Sequence, residues 1–244
     1  MEDVTPRSEP NVIDRDHDDT HFMDALLKET EREREDDGTQ LNFPLPGQGA
    51  KSDVLFNAIG VFARKGITET TVQDLLEAAH ISRRTFYKYF KNKVDVLESI
   101  YRLAAELLTA RFKSERKNAS SLTEFVMRCV DLYFDYHASL GPLVRMMTEE
   151  ARRTDSPLAQ HREALIGQIV ELFDDKYHEV EGRHLDPLVH YALIWSMESA
   201  SINLLTNTNC TQSEVDRYKG VMRAVAARVI SSGLAEGCPD LPSK

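Results

Sequence analysis

Residues 71 to 93, TVQDLLEAAHISRRTFYKYFKNK, constrain the fold more than any other stretch, because they read as two short helices joined by a tight turn. Thr70 or Thr71 can cap the first helix, and Asp74 stands near the cap-plus-three position, where a carboxylate supports a helix start. Val72, Leu75, Leu76 and Ala79 follow at helical spacing and give that helix an apolar inner face. Ser82 is the natural cap of the second helix, on which Phe86 and Phe90 can anchor in a core while Arg83, Arg84, Tyr87 and Lys88 stay outside. Ala78 to Ile81 form the connection, with His80 where the chain turns most sharply. Positive φ is cheap only for glycine, so histidine there predicts a slightly strained or altered turn.

Charge gives this unit its chemistry. Arg83, Arg84, Lys88, Lys91 and Lys93 put +5 into eleven residues without one acidic side chain, in a chain whose formal net charge is -10. A local excess of that sign, against the global balance, implies an anionic partner, and the helix pair implies double-stranded DNA. The first residues of a recognition helix reach base edges, so Arg83 and Arg84 are the candidates for base readout and Thr85 for contact with a thymine methyl. Tyr87, Lys88, Tyr89 and Lys93 are the candidates for backbone contact, and Thr71 can offer its hydroxyl and the helix's first amides to a phosphate.

The run from Ser52 to Leu97 resembles the N-terminal domain of the tetracycline-repressor (TetR) family. The resemblance rests on Ala58, Phe62 and Gly66, then Thr70-Thr71-Val72, then Ser82 followed by Thr85-Phe86-Tyr87-Lys88-Tyr89-Phe90, with Asn92-Lys93 opening a fourth helix. It implies phosphate contacts at Tyr87, Tyr89 and Lys93, and base contacts that vary within the residues between Ser82 and Phe86. Two departures stand out: His80, where the family usually has glycine, and Leu76-Glu77 in place of an Ile-Ala run.

The ends of the chain differ from this unit. Residues 1–47 carry 14 acidic against five basic side chains, a net of -9, and few aliphatic residues, so they predict a disordered arm in which His21 to Glu35 could form a transient helix. Phe43-Pro44-Leu45-Pro46-Gly47-Gln48-Gly49 reads as a linker. Two readings of the arm stay open: a competitor with DNA for the basic helix, or a solvated leader. Deleting residues 1–47 decides between them, since unchanged nonspecific affinity at low salt removes the first. The expected division is this arm, a DNA-binding domain over 48–97, a helical regulatory and dimerisation domain over 98–235, and a flexible tail over 236–244.

The expected fold class is all-α, since helical patterning continues beyond Lys93 and no useful strand pattern appears. Helices are predicted from Val94 to about Lys117, Ser121 to about His137, Gly141 to Arg153, Ser156 to near Tyr177, Asp186 to about Leu205, and from a Ser213/Asp216 capping box to before Gly233. The last two carry apolar faces edged by small residues. Leu188, Ala192, Trp195 and Ser199, with Val221, Val225 and Arg228, are therefore candidates for a homodimer interface that would present two reading heads to a palindromic or pseudo-palindromic operator. The resemblance implies the same four-helix interface.

Tyr133, Tyr136, His137, Met146, Met147, Phe173, Trp195 and Asn203 supply aromatic, soft and polar groups that could line a cavity for an unknown small-molecule effector. The resemblance implies that such an effector moves the long fourth helix and so relieves repression. A DNA binder without an effector, and an activator, are the alternatives; a cavity on the order of several hundred Å³ favours the first reading and a solid core the second. No catalytic cluster, cofactor loop or metal-ligand spacing appears, so an enzyme is not expected, and His178, His184 and His190 read as surface or capping residues. Cys129, Cys210 and Cys238 are odd in number and widely spaced, as reduced thiols would be. With no secretory signal and no long apolar run, these features predict a cytoplasmic protein without a membrane span.

Overall fold

The computed structural model describes residues 49–206 and 210–231. The acidic arm, the linker as far as residue 48, the tail and Cys238 lie outside the described residues. Eight helices follow one another among the described residues: α1 (Ala50–Glu69), α2 (Val72–Ala78), α3 (Arg83–Tyr89), α4 (Lys93–Asn118), α5 (Leu122–Ala151), α6 (Ala159–Glu181), α7 (Pro187–Thr206) and α8 (Gln212–Ser231). This is the all-α fold that the patterning predicts.

Local chemistry sets the boundaries. Asn92 caps α4 by accepting from the amides of Val94 and Asp95 at 2.8 and 3.0 Å, and Ser121 caps α5 by accepting from Glu124 N at 3.1 Å. The two helices expected on either side of residue 141 form one run, bent where Gly141 takes φ 51° and ψ -130°. Only glycine reaches that region without strain, and Gly66 bends α1 for the same reason at φ 75°. α6 continues four residues past its expected end at Tyr177, to Glu181, and stops at Gly182. α8 is capped two residues earlier than expected, by Thr211 accepting from Glu214 N at 3.3 Å.

α1, α2 and α3 form a small head around Val54, Phe62, Leu75 and Phe86, and α1 also packs on α4 and α5. In the body α5 is central, with α8, α7, α4 and α6 around it and Phe125, Val130 and Phe134 fully buried. α4 belongs to both parts and runs through the expected division at residues 97 and 98. Among the polar links that cross the body, Arg162 on α6 pairs through Nε and Nη2 with Glu198 on α7, and His137 Nδ1 on α5 meets Ser201 Oγ on α7 at 2.6 Å.

His137 titrates in a way that stability measurements can read. Burial holds its imidazole down from 6.5 to about 3. Because the folded value is depressed, the unfolded chain takes up the extra proton, so this contribution is complete above pH 6.5 and is lost as the pH falls. Urea unfolding at pH 5.0 is expected to show about 2 kcal/mol less stability from this site than at pH 7.5. The same pair of measurements on His137→Gln should show that difference removed; an undiminished difference would place the titration elsewhere.

Candidate nucleic-acid interface and interior cavity

The reading unit is built from interlocked caps. Thr71 Oγ1 accepts from Asp74 N at 3.2 Å, and Asp74 Oδ2 accepts from Thr71 N at 2.9 Å, completing a capping box at the start of α2. The Lys65 ammonium, 2.7 Å from Asp74 Oδ1, together with the Thr71 amide and hydroxyl, holds the Asp74 carboxyl down from 3.8 to about 2. α2 closes with the Ile81 amide bonded to Leu76 O at 3.1 Å and the His80 amide to Glu77 O at 3.3 Å. That is the Schellman closure, with His80 at φ 52° in the position glycine usually takes. The expected strain is therefore confined to one left-handed residue, at a cost of about 1–2 kcal/mol.

Ser82 opens α3, accepting from Thr85 N at 3.1 Å. Phe86 and Phe90 point inward, their ring centroids 5.6 Å apart and both side chains buried. This leaves Arg83, Arg84, Tyr87, Lys88 and Tyr89 exposed on the outer side, with Tyr87 50% exposed. Lys88 Nζ lies 5.3 Å from the centre of the Tyr89 ring. Thr85 is half-buried, and its hydroxyl is 2.8 Å from that of Ser82.

Lys93 is placed differently from the other cations. Its ammonium lies 2.8, 2.7 and 2.6 Å from the carbonyls of Ile67, Thr68 and Thr70, so its three N–H donors are all directed at the end of α1. The sequence shows the charge but not this destination, 23 to 26 residues back along the chain.

The body encloses a cavity of about 60 Å³ among α4, α5, α6, α7 and α8. Phe112, Tyr133, Phe173, Tyr177, Met197 and Met222 are among its lining, and His190 contributes a polar group. Of the eight residues expected here, Tyr133 and Phe173 line it; the other six do not. Tyr136 turns toward α4 and donates to Ala104 O at 3.1 Å, and His137 is spent on Ser201. Met147 fills the core beyond the bend at Gly141, and Met146 packs beside it. Trp195 is 45% exposed on the outside of α7, and Asn203 accepts from the Tyr218 hydroxyl across α7 and α8. Phe112, Cys129, His190, Met197 and Met222 were missed, because no local pattern says which faces of five helices converge. Burial pushes the Cys129 thiol up, as it does the Tyr133 hydroxyl.

Two histidines, one of them the cavity-lining His190, gather on one carboxylate. Asp174 meets His184 Nδ1 at 2.6 Å and His190 Nε2 at 3.3 Å, and accepts from Leu185 N at 3.1 Å. His178 stacks on His184 with ring centroids 4.1 Å apart. Among the described residues no group of three or more His, Cys, Asp or Glu side chains is arranged to hold a metal ion, and no helix is long and apolar enough to cross a membrane.

The expected interface residues are all exposed on two helices that pack on each other. Leu188 is 56% exposed and Val221 57%; Ala192, Trp195, Ser199, Val225 and Arg228 are exposed beside them on the neighbouring helices α7 and α8.

A capped helix pair that buries its aromatics and shows its cations, set on an all-helical body, defines a helix-turn-helix protein. Residues 55–100 match the family model described as bacterial regulatory proteins, tetR family. Residues 55–100 carry that family's DNA-binding domain. Solved structures share the fold across the body as well. The fatty acid degradation regulator FadR from Bacillus halodurans is 18% identical, with a TM-score of 0.63 over 77% of this chain and 97% of that one. A putative TetR-family regulator from Syntrophomonas wolfei is 14% identical, with a TM-score of 0.64 over 80% and 98%. FadR from Bacillus subtilis, solved in complex with stearoyl-CoA, is 18% identical, with a TM-score of 0.62 over 73% and 97%.

Proposed function

We propose that this chain is a TetR-type transcriptional regulator, a homodimeric repressor whose hold on a palindromic operator is relieved by a small, largely apolar effector. The exposed cationic face of α3, anchored from behind by Phe86 and Phe90, carries the reading. Arg83 and Arg84 read bases; Thr85 offers its methyl; Tyr87, Lys88, Tyr89 and the start of α2 at Thr71 hold the backbone. The apolar cavity and the stearoyl-CoA bound by the Bacillus subtilis relative support a long acyl chain as the effector's chemistry.

The cavity of about 60 Å³ admits a few waters and no chain of that length, so the effector must open it. Opening moves helices that contact α4, and α4 begins in the head. An effector that favours the unreceptive arrangement by about 3 kcal/mol lowers operator affinity roughly 150-fold. The small cavity also favours a second reading, a TetR-type DNA binder with no effector. Titration of the operator complex with long-chain acyl-CoA separates the two, since release supports the first and unaltered binding the second.

Selection of bound duplexes from a random pool tests the reading as a whole. A twofold-symmetric site is expected. Arg84→Ala should relax selection at one base position at a cost of about 1–3 kcal/mol, while leaving the salt dependence close to that of the unaltered protein. If no duplex is enriched, the reading fails.

A further inference from the structure

An open groove lies between α2 and α3, walled by Gln73, Glu77, His80 and Arg83 over Leu76 and Ile81. Three of these side chains are joined. Gln73 Nε2 donates to Glu77 Oε1 at 2.8 Å, and Arg83 Nη2 donates to Gln73 Oε1 at 3.3 Å. The first contact follows from i, i+4 spacing on α2, which brings both side chains to the same exposed face. The second follows from the turn, since the left-handed His80 folds the first residue of α3 back against α2. Arg84, the adjacent cation, makes no such bond among the described residues.

We propose that Gln73 and Glu77 are positioning residues for base readout by Arg83, a role that rests on the DNA-binding function proposed above. Glu77 is an acceptor only, so it takes the amide's NH₂ end and turns Gln73 Oε1 toward the guanidinium. Gln73 in turn takes one of the five guanidinium donors and leaves enough for the paired bonds to guanine O6 and N7. An arginine entering the groove untethered must freeze its whole side chain on binding; one already held loses less freedom. Arg83 is thus a preset reader and Arg84 an adaptable one, though both lie on the same turn of the same helix. The Glu77 carboxylate adds a second effect, because a negative group at the edge of the groove repels a phosphate that approaches out of register.

The test uses the full chain and its selected operator, compared with the same duplex altered at the position whose preference disappears in Arg83→Ala. Gln73→Ala is expected to reduce the preference at that position roughly 3- to 10-fold, with affinity for random-sequence DNA and the salt slope unchanged. Gln73→Glu keeps an acceptor and should retain the preference. In the Arg83→Ala background Gln73→Ala should change nothing further, since its effect passes through the arginine. A further loss in that background would mean that Gln73 touches a base itself, and would overturn the positioning role. An unchanged preference in Gln73→Ala alone would overturn it too, while leaving DNA binding intact. Failure of the unaltered chain to select any duplex would instead remove the function on which the role depends.

Discussion

Lys93→Met should lower the melting temperature by about 6–12 °C and weaken binding to every duplex alike. Methionine keeps most of the apolar stem, so the change isolates the ammonium. In the folded chain that ammonium donates to Ile67 O, Thr68 O and Thr70 O, which end α1 and would otherwise lack partners. A cation suits that end, where the helix dipole leaves negative charge, and a net loss of about 3 kcal/mol is reasonable for several charged hydrogen bonds removed together. The same three bonds join α1 to the first residue of α4 and set the segment that leads into Thr71. Without them the start of α2, the proposed phosphate contact, and α3 lose their fixed relation, which should affect all sequences equally. Differential scanning calorimetry and binding to random-sequence DNA check both halves. Unaltered melting together with a salt slope smaller by about one unit would show the ammonium working on a phosphate instead.

Lys93 also marks the limit of what the sequence discloses. The head was legible because its signals are local: Thr71 with Asp74 and Ser82 with Thr85 each span three residues, and the structure contains both caps. His80 was legible as the turn residue, and it is the one non-glycine at positive φ among the described residues. The charge of Lys93 was equally plain, but its target depends on how α4 crosses the end of α1, and no spacing within eleven residues encodes that. Arg162 and Glu198, 36 residues apart, escaped notice for the same reason. At α8 two capping patterns, Thr211 with Glu214 and Ser213 with Asp216, overlap in the sequence, and the chain uses the earlier one.

The cavity was less legible than the head. Tyr133, Tyr136 and His137 lie three and four residues apart and should share one face of α5. Three neighbours divide them: Tyr133 meets the cavity, Tyr136 meets α4, and His137 meets α7. Apolar type alone could not show that Trp195 lies outside while Met197, two residues on, lies within. The pattern separated buried from exposed positions well and one buried environment from another poorly. Helical period fixes which face of a helix turns inward and carries no distance to the helices it meets.

For the proposed homodimer, Trp195→Glu is expected to raise the dissociation constant by about a thousandfold or more and to remove specific operator binding at micromolar protein. Trp195, Leu188, Val221 and Val225 expose their apolar side chains on adjacent helices, and exposed apolar groups so gathered suit a contact with a partner. On a twofold axis every residue acts twice, so one substitution removes two aromatic anchors and places two carboxylates in an apolar contact. Truncating a central anchor costs about 2 kcal/mol or more, and the doubled loss with added desolvation exceeds about 4 kcal/mol. A lone head covers one half-site, while tight selection needs two about 34–36 Å apart, so specific affinity should fall toward the nonspecific level. The substitution lies on an exposed face, and circular dichroism and thermal melting should show each chain still folded. Sedimentation velocity would then report monomers. Trp195→Glu that sediments as a dimer with undiminished operator affinity would remove this face from the interface, and a monomeric unaltered chain with full specificity would remove the dimer itself.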